Sequence, residues 1–391
     1  MELIQGKIAE RLIKEAIGLH ASDIHIEPSQ GQVRIRVRVD GLLEVLHQLP
    51  LANLGTIITQ LKVLGGIDIA EKRVPQDGRF SIMYDGRSVD LRLSTLPTIL
   101  GEKAAIRILD KEWGFLGVSG LELSEANLAA FKRLYNAANG MVLVTGPTGS
   151  GKSTSLYGAL AELNNSSRNI ITLEDPVEYE LSGVNQVALN RKAGLDFASG
   201  LRALVRQDPD VLMVGEIRDG ETAAMAVQAA LTGHLVLSTL HTNSAIGAIA
   251  RLVDMGIERY LVVAALRGVV AQRLVRRICP HCVKEYFASA GELSFLGRSL
   301  NEKLVLRKGV GCAYCRGSGY DGRLAVQEVL QLDDALSSLI LEQAGESQLL
   351  TAAQSAGFVN MYEDGVGKVL FGKTTVSELL RAGIYKGGGV L

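Results

Sequence analysis

The chain has 391 residues and a formal net charge of −1, with 47% hydrophobic, 21% charged and 5% aromatic residues. Because this length exceeds what one hydrophobic core usually organises, we expect two or three domains. The near-neutral charge and the scarcity of aromatic side chains argue against nucleic acid as the main partner, since nucleic-acid-binding proteins carry basic surfaces and base-stacking platforms.

The sequence shows neither a secretory signal nor a membrane-spanning segment. Residues 1–4 are not followed by a long apolar region, and no stretch reaches the roughly 20 apolar residues that span a bilayer. The most apolar stretch, residues 260–270, contains Arg267 and predicts a buried helix. We therefore expect a soluble cytoplasmic protein, which is still able to dock onto a membrane complex.

The first 112 residues predict a small α+β domain. Residues 33–39 alternate strictly between apolar residues and three arginines, which is typical of a strand with one buried face. Asp85-Gly86 is a hairpin signal. The other predicted elements are an opening helix, a second helix, the two arms of the hairpin and a last strand, at residues 3–19, 54–64, 79–84, 87–93 and 104–109.

A linker over residues 113–120 is predicted to precede the larger domain, residues 121–391, because its glycines follow no regular period. From residue 121 onward, predicted strands alternate with helices, which indicates an α/β domain with a largely parallel sheet. The strands are predicted at 142–145, 170–173, 211–214 and 235–239. A cysteine-bearing segment over 276–325 and a helical C-terminal region over 332–391 complete the predicted organisation.

The most informative motif lies between a short apolar strand and a predicted helix. It fits the phosphate-binding P-loop pattern, in which backbone N–H groups and a helix N-terminus surround the phosphates. Lys152 would contact the β- and γ-phosphates and Ser153 would bind Mg²⁺, so a nucleoside triphosphate is the expected ligand. The residues of the motif are Gly146, Pro147, Thr148, Gly149, Ser150, Gly151, Lys152, Ser153 and Thr154.

Acidic residues follow two predicted strands of the same domain. Glu174 ends the strand at 170–173, at the edge where α/β sheets bind ligands. An acidic turn closed by Pro176 explains it equally well. Glu216 follows the apolar run at 211–214, and next to a P-loop it would contact the Mg²⁺ shell or orient the attacking water. Without the P-loop, this segment would be only a strand followed by a turn.

Two histidines flank the predicted strand at 235–239. His241 follows the strand and lies beside Thr242, so it is a candidate for sensing the γ-phosphate. His234 precedes the strand at the opposite edge of the sheet, and we interpret it as structural.

The four cysteines of the chain form two C-x-x-C pairs separated by 29 residues. This pattern favours a tetrahedral structural zinc site. A redox pair and disulfides are the alternatives, and disulfides are disfavoured in the cytosol. The expected ligands are Cys279, Cys282, Cys312 and Cys315.

Several segments together resemble the secretion ATPases of type II secretion and type IV pilus assembly, over nearly the whole chain. In that family the P-loop is followed by an acidic box, a second nucleotide motif ending in Glu and a histidine box. The resembling segments are 21–28, 75–79, 91–98, 146–154, 171–179, 206–219, 232–242 and 271–276.

The resemblance implies a homo-hexameric ring. In such a ring, ATP lies between a PAS-like N-terminal domain and a RecA-like P-loop NTPase domain. The implied fold class is α/β, with a Cys₄ zinc-binding insertion in the RecA-like domain. It also implies that Arg79 and Arg92 approach the phosphates and that Glu174 and His241 act in catalysis. From the residues alone, Arg79 and Arg92 are strand-edge arginines on a solvated face.

The implied function is ATP hydrolysis that drives pseudopilus assembly and protein export in type II secretion, with inner-membrane platform proteins as partners and no nucleic acid. The Cys₄ segment favours the assembly ATPases over the retraction ATPases, and residues 274–282 resemble type II secretion more than pilus assembly. The alternatives are a type IV pilus assembly or retraction ATPase, a RecA-like nucleic-acid motor and a nucleotide-gated scaffold that does not hydrolyse ATP. The family's membrane-docking N-terminal domain has no counterpart here, so we expect a shortened chain.

Overall fold

The structure is a computed structural model, and it describes residues 7–110 and 117–386. Residues 3–6 of the predicted opening helix, 113–116 of the predicted linker and 387–391 of the predicted helical region lie outside the described residues. The chain divides into two units, Met1–Gly114 and Phe115–Leu391.

The described part of the first unit combines two helices with an antiparallel sheet. Its elements are α1 (Ile8–Gly18), β1 (Asp23–Ser29), β2 (Gln32–Val39), β3 (Leu42–Pro50), α2 (Asn53–Gly65), β4 (Gln76–Tyr84), β5 (Arg87–Thr98) and β6 (Gly101–Leu109). The strands follow the order β3-β2-β1-β6-β5-β4. The strand at 33–39, the helix at 54–64, the hairpin and the strand at 104–109 are thus present, while β1 was not predicted.

Alternation along β2 separates the core of the first unit from a charged face. The valines and isoleucine of β2 are buried in one cluster with α1 and α2. On the other face, Arg36 Nε lies 2.8 Å from Glu27 Oε2, and Lys103 Nζ lies 3.0 Å from Glu27 Oε1. Burial opposes ionisation of Glu27, but hydrogen bonds from Arg36 and Lys103 prevail and lower its pKa to about 2.

The described part of the second unit has a short 3₁₀ helix near its start, Val118–Leu121, and continues through alternating helices and strands. Val118 is fully buried and packs beside Gly158. The elements of the first half are α3 (Glu125–Tyr135), β7 (Gly140–Thr145), α4 (Lys152–Leu163), β8 (Ile170–Glu174), β9 (Asn185–Ala188), α5 (Phe197–Leu204), β10 (Val211–Val214), α6 (Gly220–Leu231), β11 (Leu235–Leu240) and α7 (Ala245–Asp254).

The second half of this unit adds two long strands, a small two-stranded antiparallel sheet and the C-terminal helices. Its elements are α8 (Arg259–Ala265), β12 (Leu266–Ile278), β13 (Val283–Phe287), α9 (Ala290–Phe295), β14 (Val305–Gly309), β15 (Tyr320–Gln331), α10 (Asp334–Leu341), α11 (Glu346–Ser355), α12 (Met361–Leu370) and α13 (Val376–Arg381). The buried helix predicted at 260–270 is wrong in its second half, because the chain changes at Leu266 from α8 to β12.

The main sheet of the second unit has the order β15-β12-β7-β11-β10-β8-β9. Its strands are parallel except for β15, which pairs with β12 in the antiparallel sense. The inner strands are fully buried because helices cover both faces of the sheet, and their sequences are accordingly continuous apolar runs. The carboxyl ends of β7, β11, β10 and β8 therefore meet at one edge.

Among the described helices, none has both the length and the apolar character required to cross a lipid bilayer.

Candidate functional site

The P-loop joins the carboxyl end of β7 to the first residue of α4. Gly146, Gly149 and Gly151 have φ values of +146°, +80° and +84°, a region in which a side chain would be strained. The Lys152 ammonium lies over this loop, where Nζ donates to the carbonyl oxygens of Gly146 and Pro147 at 2.9 and 3.2 Å. The loop therefore holds a cation at the amino end of a helix, an arrangement suited to phosphate.

Glu216 and His241 come together at the same sheet edge, as their positions after β10 and β11 predict. The distance from Glu216 Oε2 to His241 Nε2 is 3.5 Å, and Glu216 Oε1 lies 2.6 Å from an Arg218 guanidinium nitrogen. Burial lowers the pKa of Lys152, and the negative charge of Glu216 opposes that effect. Glu216 is therefore the acidic residue whose charge acts on the P-loop lysine.

The Glu174 carboxylate is buried at the end of β8 and is bound by protein donors. It accepts hydrogen bonds from the hydroxyls of Thr172 at 2.6 Å and of Tyr157 in α4, and from Gln186 Nε2 at 3.2 Å. Burial, reinforced by the hydrogen bond to Glu174, raises the pKa of the Tyr157 phenol. Glu174 thus joins β8 to the helix that carries the P-loop.

A third acidic residue, Glu178, contacts the P-loop directly. Glu178 Oε1 accepts a hydrogen bond from Ser153 Oγ at 3.2 Å, and the Glu178 backbone N–H donates to the Tyr157 hydroxyl at 3.3 Å. Glu178 was not among the site residues predicted from the sequence. Its place within the acidic segment 171–179 was the available signal, but the segment offers several carboxylates and spacing does not rank them.

The loop that follows β11 is bonded to the strand that precedes the P-loop. The Thr145 and Thr242 hydroxyls lie 2.7 Å apart, and the Thr242 backbone N–H donates to Thr145 Oγ1 at 2.8 Å. His241 is therefore placed beside the P-loop by its neighbour Thr242. His234 lies at the other end of β11, where its Nδ1 is 2.9 Å from the Ala229 carbonyl oxygen, in keeping with the structural role predicted for it.

Arg79 and Arg92 belong to the first unit, where they face each other across β4 and β5. Arg92 is in turn opposite Arg107 across β5 and β6. Three arginines thus lie side by side on one row of the sheet. The role of Arg79 and Arg92 at the phosphates stays a prediction.

The four cysteines converge on one point in the second unit. Their Sγ atoms all lie within 4.8 Å of one another. The Cys279–Cys312, Cys282–Cys315 and Cys312–Cys315 Sγ separations are 3.9, 3.7 and 3.6 Å. A disulfide requires about 2.05 Å. Four sulfurs at about 2.3 Å from one central ion would be about 3.8 Å apart, so the donor set fits a tetrahedral metal.

The thiols of this cluster differ in their acidity. Burial raises the pKa of Cys279 to about 12 and also raises the pKa of Cys282. Burial acts in the same direction on Cys315, but backbone N–H donation from Cys312 and Gly319 overcomes it and lowers that pKa to about 6. Both N–H groups lie 3.2 Å from the Cys315 sulfur, so the backbone is arranged to stabilise a thiolate.

Comparison with known proteins decides the family. A family model described as "Type II/IV secretion system protein" matches residues 2–381. The chain belongs to this family. It is 48% identical to the type II secretion system ATPase E of Vibrio cholerae over 377 residues, which cover 96% of this chain and 74% of that protein. The prediction of a type II secretion assembly ATPase is confirmed at the level of the family.

Pilus proteins of the family are also similar to this chain. It is 46% identical to the type IV pilus assembly ATPase PilB of Thermus thermophilus over 376 residues, 96% of this chain and 42% of that protein. Among solved structures, the pilus retraction motor PilT with bound ADP matches with a TM-score of 0.65 and 29% identity, covering 97% of each chain. The relatives thus support a secretion ATPase as the main interpretation and retain the pilus ATPases as the alternative.

Proposed function

We propose that this protein binds ATP with Mg²⁺ at the P-loop and hydrolyses it to drive pseudopilus assembly in type II secretion. The observation that carries the proposal is the meeting of Lys152, Glu216 and His241 at one sheet edge, with Glu216 and His241 3.5 Å apart. This combination supplies a cation for the phosphates, a carboxylate for the attacking water and a side chain that can report the γ-phosphate. Relatives named ATPase support the same chemistry.

Each group has a defined part in this proposal. Lys152 would exchange the carbonyl oxygens of Gly146 and Pro147 for phosphate oxygens, so its charge would act on the transferred group. Ser153 and Glu178 would hold Mg²⁺, which neutralises phosphate charge and orients the triphosphate. Glu216 would accept a hydrogen bond from the attacking water, while His241 and Arg218 hold its carboxylate in place.

The remaining groups extend the proposal beyond the P-loop. Glu174, tied to α4 through Tyr157, would fix the helix that bears Lys152 and Ser153. Arg79 and Arg92 would contact the phosphates from the first unit, since guanidinium groups stabilise the charge that builds during phosphoryl transfer. The second unit would serve as a RecA-like domain and the first as a mobile PAS-like domain within a homo-hexamer. ATP turnover would then move the two units relative to each other.

The four cysteines would hold a structural Zn²⁺ ion. The sulfur separations of 3.6–3.9 Å support this assignment, and Cys315 is already the most acidic thiol of the three whose pKa shifts. In the proposed cellular setting, the ATPase works at the cytoplasmic side of the inner membrane through platform proteins. The resemblance of residues 274–282 to type II secretion favours protein export as the output.

Substitution of the P-loop lysine tests the proposal. We expect Lys152→Ala to abolish ATP hydrolysis, measured as phosphate release together with particle mass over a range of protein concentrations. Lys132→Ala is the matched control, because Lys132 is a half-exposed lysine of the same unit that pairs with Glu162. Full turnover by the Lys152 variant would refute the assignment. Activity that does not rise with hexamer formation would refute a shared site, and stimulation by DNA that falls steeply with salt would favour a nucleic-acid motor.

Pilus assembly remains a second candidate because the chain is 46% identical to a pilus assembly ATPase. Deletion of the gene in its host separates the two outputs. Loss of protein export with intact pili supports type II secretion, and loss of pili with intact export supports pilus assembly.

A further inference from the structure

A buried glutamine of β12 lies directly beneath the P-loop. Gln272 is fully buried, and its Nε2 donates to the carbonyl oxygen of Ser150 at 2.6 Å. Its Oε1 accepts from Ser155 Oγ at 2.7 Å and also from Gln327 Nε2. One side chain thus contacts the residues on both sides of Gly151–Thr154, although Gln272 is far from the loop in sequence.

The bond to Ser150 controls the direction of a phosphate-facing N–H group. The Ser150 carbonyl and the Gly151 N–H belong to the same peptide unit, and in a planar trans peptide they point in opposite directions. Because Gln272 holds the carbonyl toward β12, the Gly151 N–H points away from β12, to the side of the loop where phosphate would lie. Gly151 begins the turn into α4, where N–H groups are available to an anion.

This peptide needs an external anchor because a glycine follows it. Gly151 has a φ of +84°, and glycine adopts positive and negative φ with similar ease. Rotation of the Ser150–Gly151 peptide is therefore resisted little by the chain itself. The hydrogen bond from Gln272 supplies the resistance, since a rotated peptide would leave a buried Gln272 donor without its acceptor.

The fit between β12 and the loop is close on both sides. A Cβ atom on Gly146 would lie 2.3 Å from the Gln272 carbonyl oxygen, and a Cβ atom on Gly151 would lie 2.7 Å from Gln272 Nε2. Because Gly146 and Gly151 have no side chains, β12 can pack directly against the underside of the loop. Gln327 provides a second donor to the same Gln272 oxygen, and its own backbone N–H donates to Asp364 Oδ2 at 2.9 Å. The Ser150 carbonyl can only accept a hydrogen bond, so this contact alone holds the Gln272 amide in one orientation, with Nε2 toward the loop.

We propose that Gln272 is a positioning residue for nucleotide binding, which holds the Ser150–Gly151 peptide so that the Gly151 N–H donates to phosphate. The inference rests on the proposed role of the P-loop as an ATP site. Gln272 itself would not contact the phosphate, because its amide is bound to Ser150, Ser155 and Gln327. Its effect on nucleotide affinity passes through the loop backbone.

The test replaces Gln272 with methionine, which has a similar shape but neither donates nor accepts a strong hydrogen bond. Gln327→Met is the matched control, because it removes a fully buried glutamine that bonds Gln272 but not the loop. ADP affinity is measured by titration calorimetry, thermal stability by the melting temperature, and protection of residues 149–153 by amide hydrogen exchange with and without ADP.

We expect Gln272→Met to weaken ADP binding roughly ten- to hundredfold, the worth of one hydrogen bond to a charged group. We expect it also to abolish the ADP-induced protection at residues 149–153. Gln327→Met should change the affinity by less than about threefold, because the Ser150 bond remains. Gln272→Met removes three buried hydrogen bonds and Gln327→Met removes one of them, so the methionine at 272 should lower the melting temperature more in either case. A purely structural role would nevertheless leave the two ADP affinities alike. That outcome overturns the proposal.

ADP binding by the unmodified protein and by Gln272→Met distinguishes a failure of the proposed ATP site from a failure of the proposed role of Gln272. If the unmodified protein does not bind ADP, the proposed function itself is wrong. If it binds ADP and Gln272→Met binds equally well, only the role of Gln272 is wrong. Gln272→Leu, which fills the site without a polar group, serves as the second variant if the methionine variant does not fold.

Discussion

The Ser153 hydroxyl donates a hydrogen bond of 3.2 Å to Glu178 Oε1. This contact joins the residue expected to bind Mg²⁺ to an acidic residue 25 positions later in the chain. A hydroxyl and a carboxylate at hydrogen-bonding distance are oxygen ligands of the kind that Mg²⁺ prefers. Glu178 therefore becomes a member of the candidate site on the strength of its geometry.

Replacement of the Glu178 carboxylate tests this membership. We expect Glu178→Gln to raise the Mg²⁺ concentration required for half-maximal hydrolysis by on the order of tenfold, because an amide binds a divalent cation more weakly than a carboxylate does. Magnesium titrations of ATPase activity provide the measurement. Glu180→Gln, an exposed carboxylate two positions further on, should behave like the unmodified protein. An unchanged magnesium requirement for Glu178→Gln would exclude it from the site.

Glu216→Gln should separate nucleotide binding from hydrolysis. The substitution removes the charge that faces His241 and Arg218, so we expect ATP to bind with turnover reduced by about a hundredfold or more. Nucleotide binding and phosphate release are measured on the same preparation. Glu221→Gln is a suitable control because Glu221 is exposed and pairs with Arg202. Turnover close to that of the control would contradict the catalytic role.

Gly146→Ala should impair nucleotide binding because the added methyl group meets the floor of the loop. Its Cβ would lie 2.3 Å from the Gln272 carbonyl oxygen, and the φ of +146° disfavours any side chain. We expect at least a tenfold loss of ADP affinity, measured by calorimetry. Gly149→Ala is the comparison: it is strained by a φ of +80° but meets no atom within 4 Å. A larger loss at Gly149 than at Gly146 would refute the steric explanation.

The cysteine cluster predicts one zinc ion per chain, to be measured by elemental analysis of the purified protein. Cys282→Ser should lose the ion and lower the melting temperature, since structural zinc contributes directly to folding stability. His281→Ala should retain the ion, because His281 packs against Tyr314 with ring centroids 4.1 Å apart and is not one of the clustered donors. Zinc loss in the histidine variant, with retention in the cysteine variant, would reverse the ligand assignment.

Acid should destabilise the second unit through Glu378. This nearly fully buried carboxylate pairs with Arg276 and Arg381, and although burial opposes ionisation, their hydrogen bonds lower its pKa to about 2 from an ordinary value near 4.5. Because the pKa of Glu378 is lower in the folded protein, its ion pairs contribute fully to the free energy of unfolding above pH 4.5. This contribution disappears as the pH falls toward 2.

The corresponding experiment is urea unfolding as a function of pH. Glu378→Gln should lower the free energy of unfolding by about 2 kcal/mol at pH 7 and approach the unmodified protein near pH 2. Glu302→Gln, at an exposed position, should leave the pH profile unchanged. A difference between Glu378→Gln and the unmodified protein that does not diminish in acid would show that the ion pairs are not its source.

The P-loop illustrates what local sequence predicts well. A glycine-rich turn between a buried strand and a helix is specified by neighbouring residues, because backbone conformation there depends on φ preferences and on the apolar pattern of the flanks. The same reasoning located the strands that precede Glu216 and His241, and it correctly predicted that these residues share one sheet edge. Cysteine spacing likewise anticipated the convergence of four sulfurs.

Strands β12 and β15 illustrate where periodicity fails. β12 is buried on both faces, so it has no alternating pattern, and its apolar run continues directly from α8. Such a run is compatible with a helix or with a buried strand. This segment is a strand because it pairs with β7 on one side and with β15 on the other. Both partners are distant from it in the sequence.

The sequence by itself determined the family, the glycine-rich loop and the paired spacing of the four cysteines, because each depends on short-range order or on a spacing that few structures share. Only the tertiary structure decided which distant side chains support the loop. Ser153 meets Glu178, and Gln272 meets Ser150, through the stacking of strands and helices. A hydrogen bond forms only when its two atoms lie about 3 Å apart. The number of residues between two positions in the sequence does not indicate whether their side chains come that close.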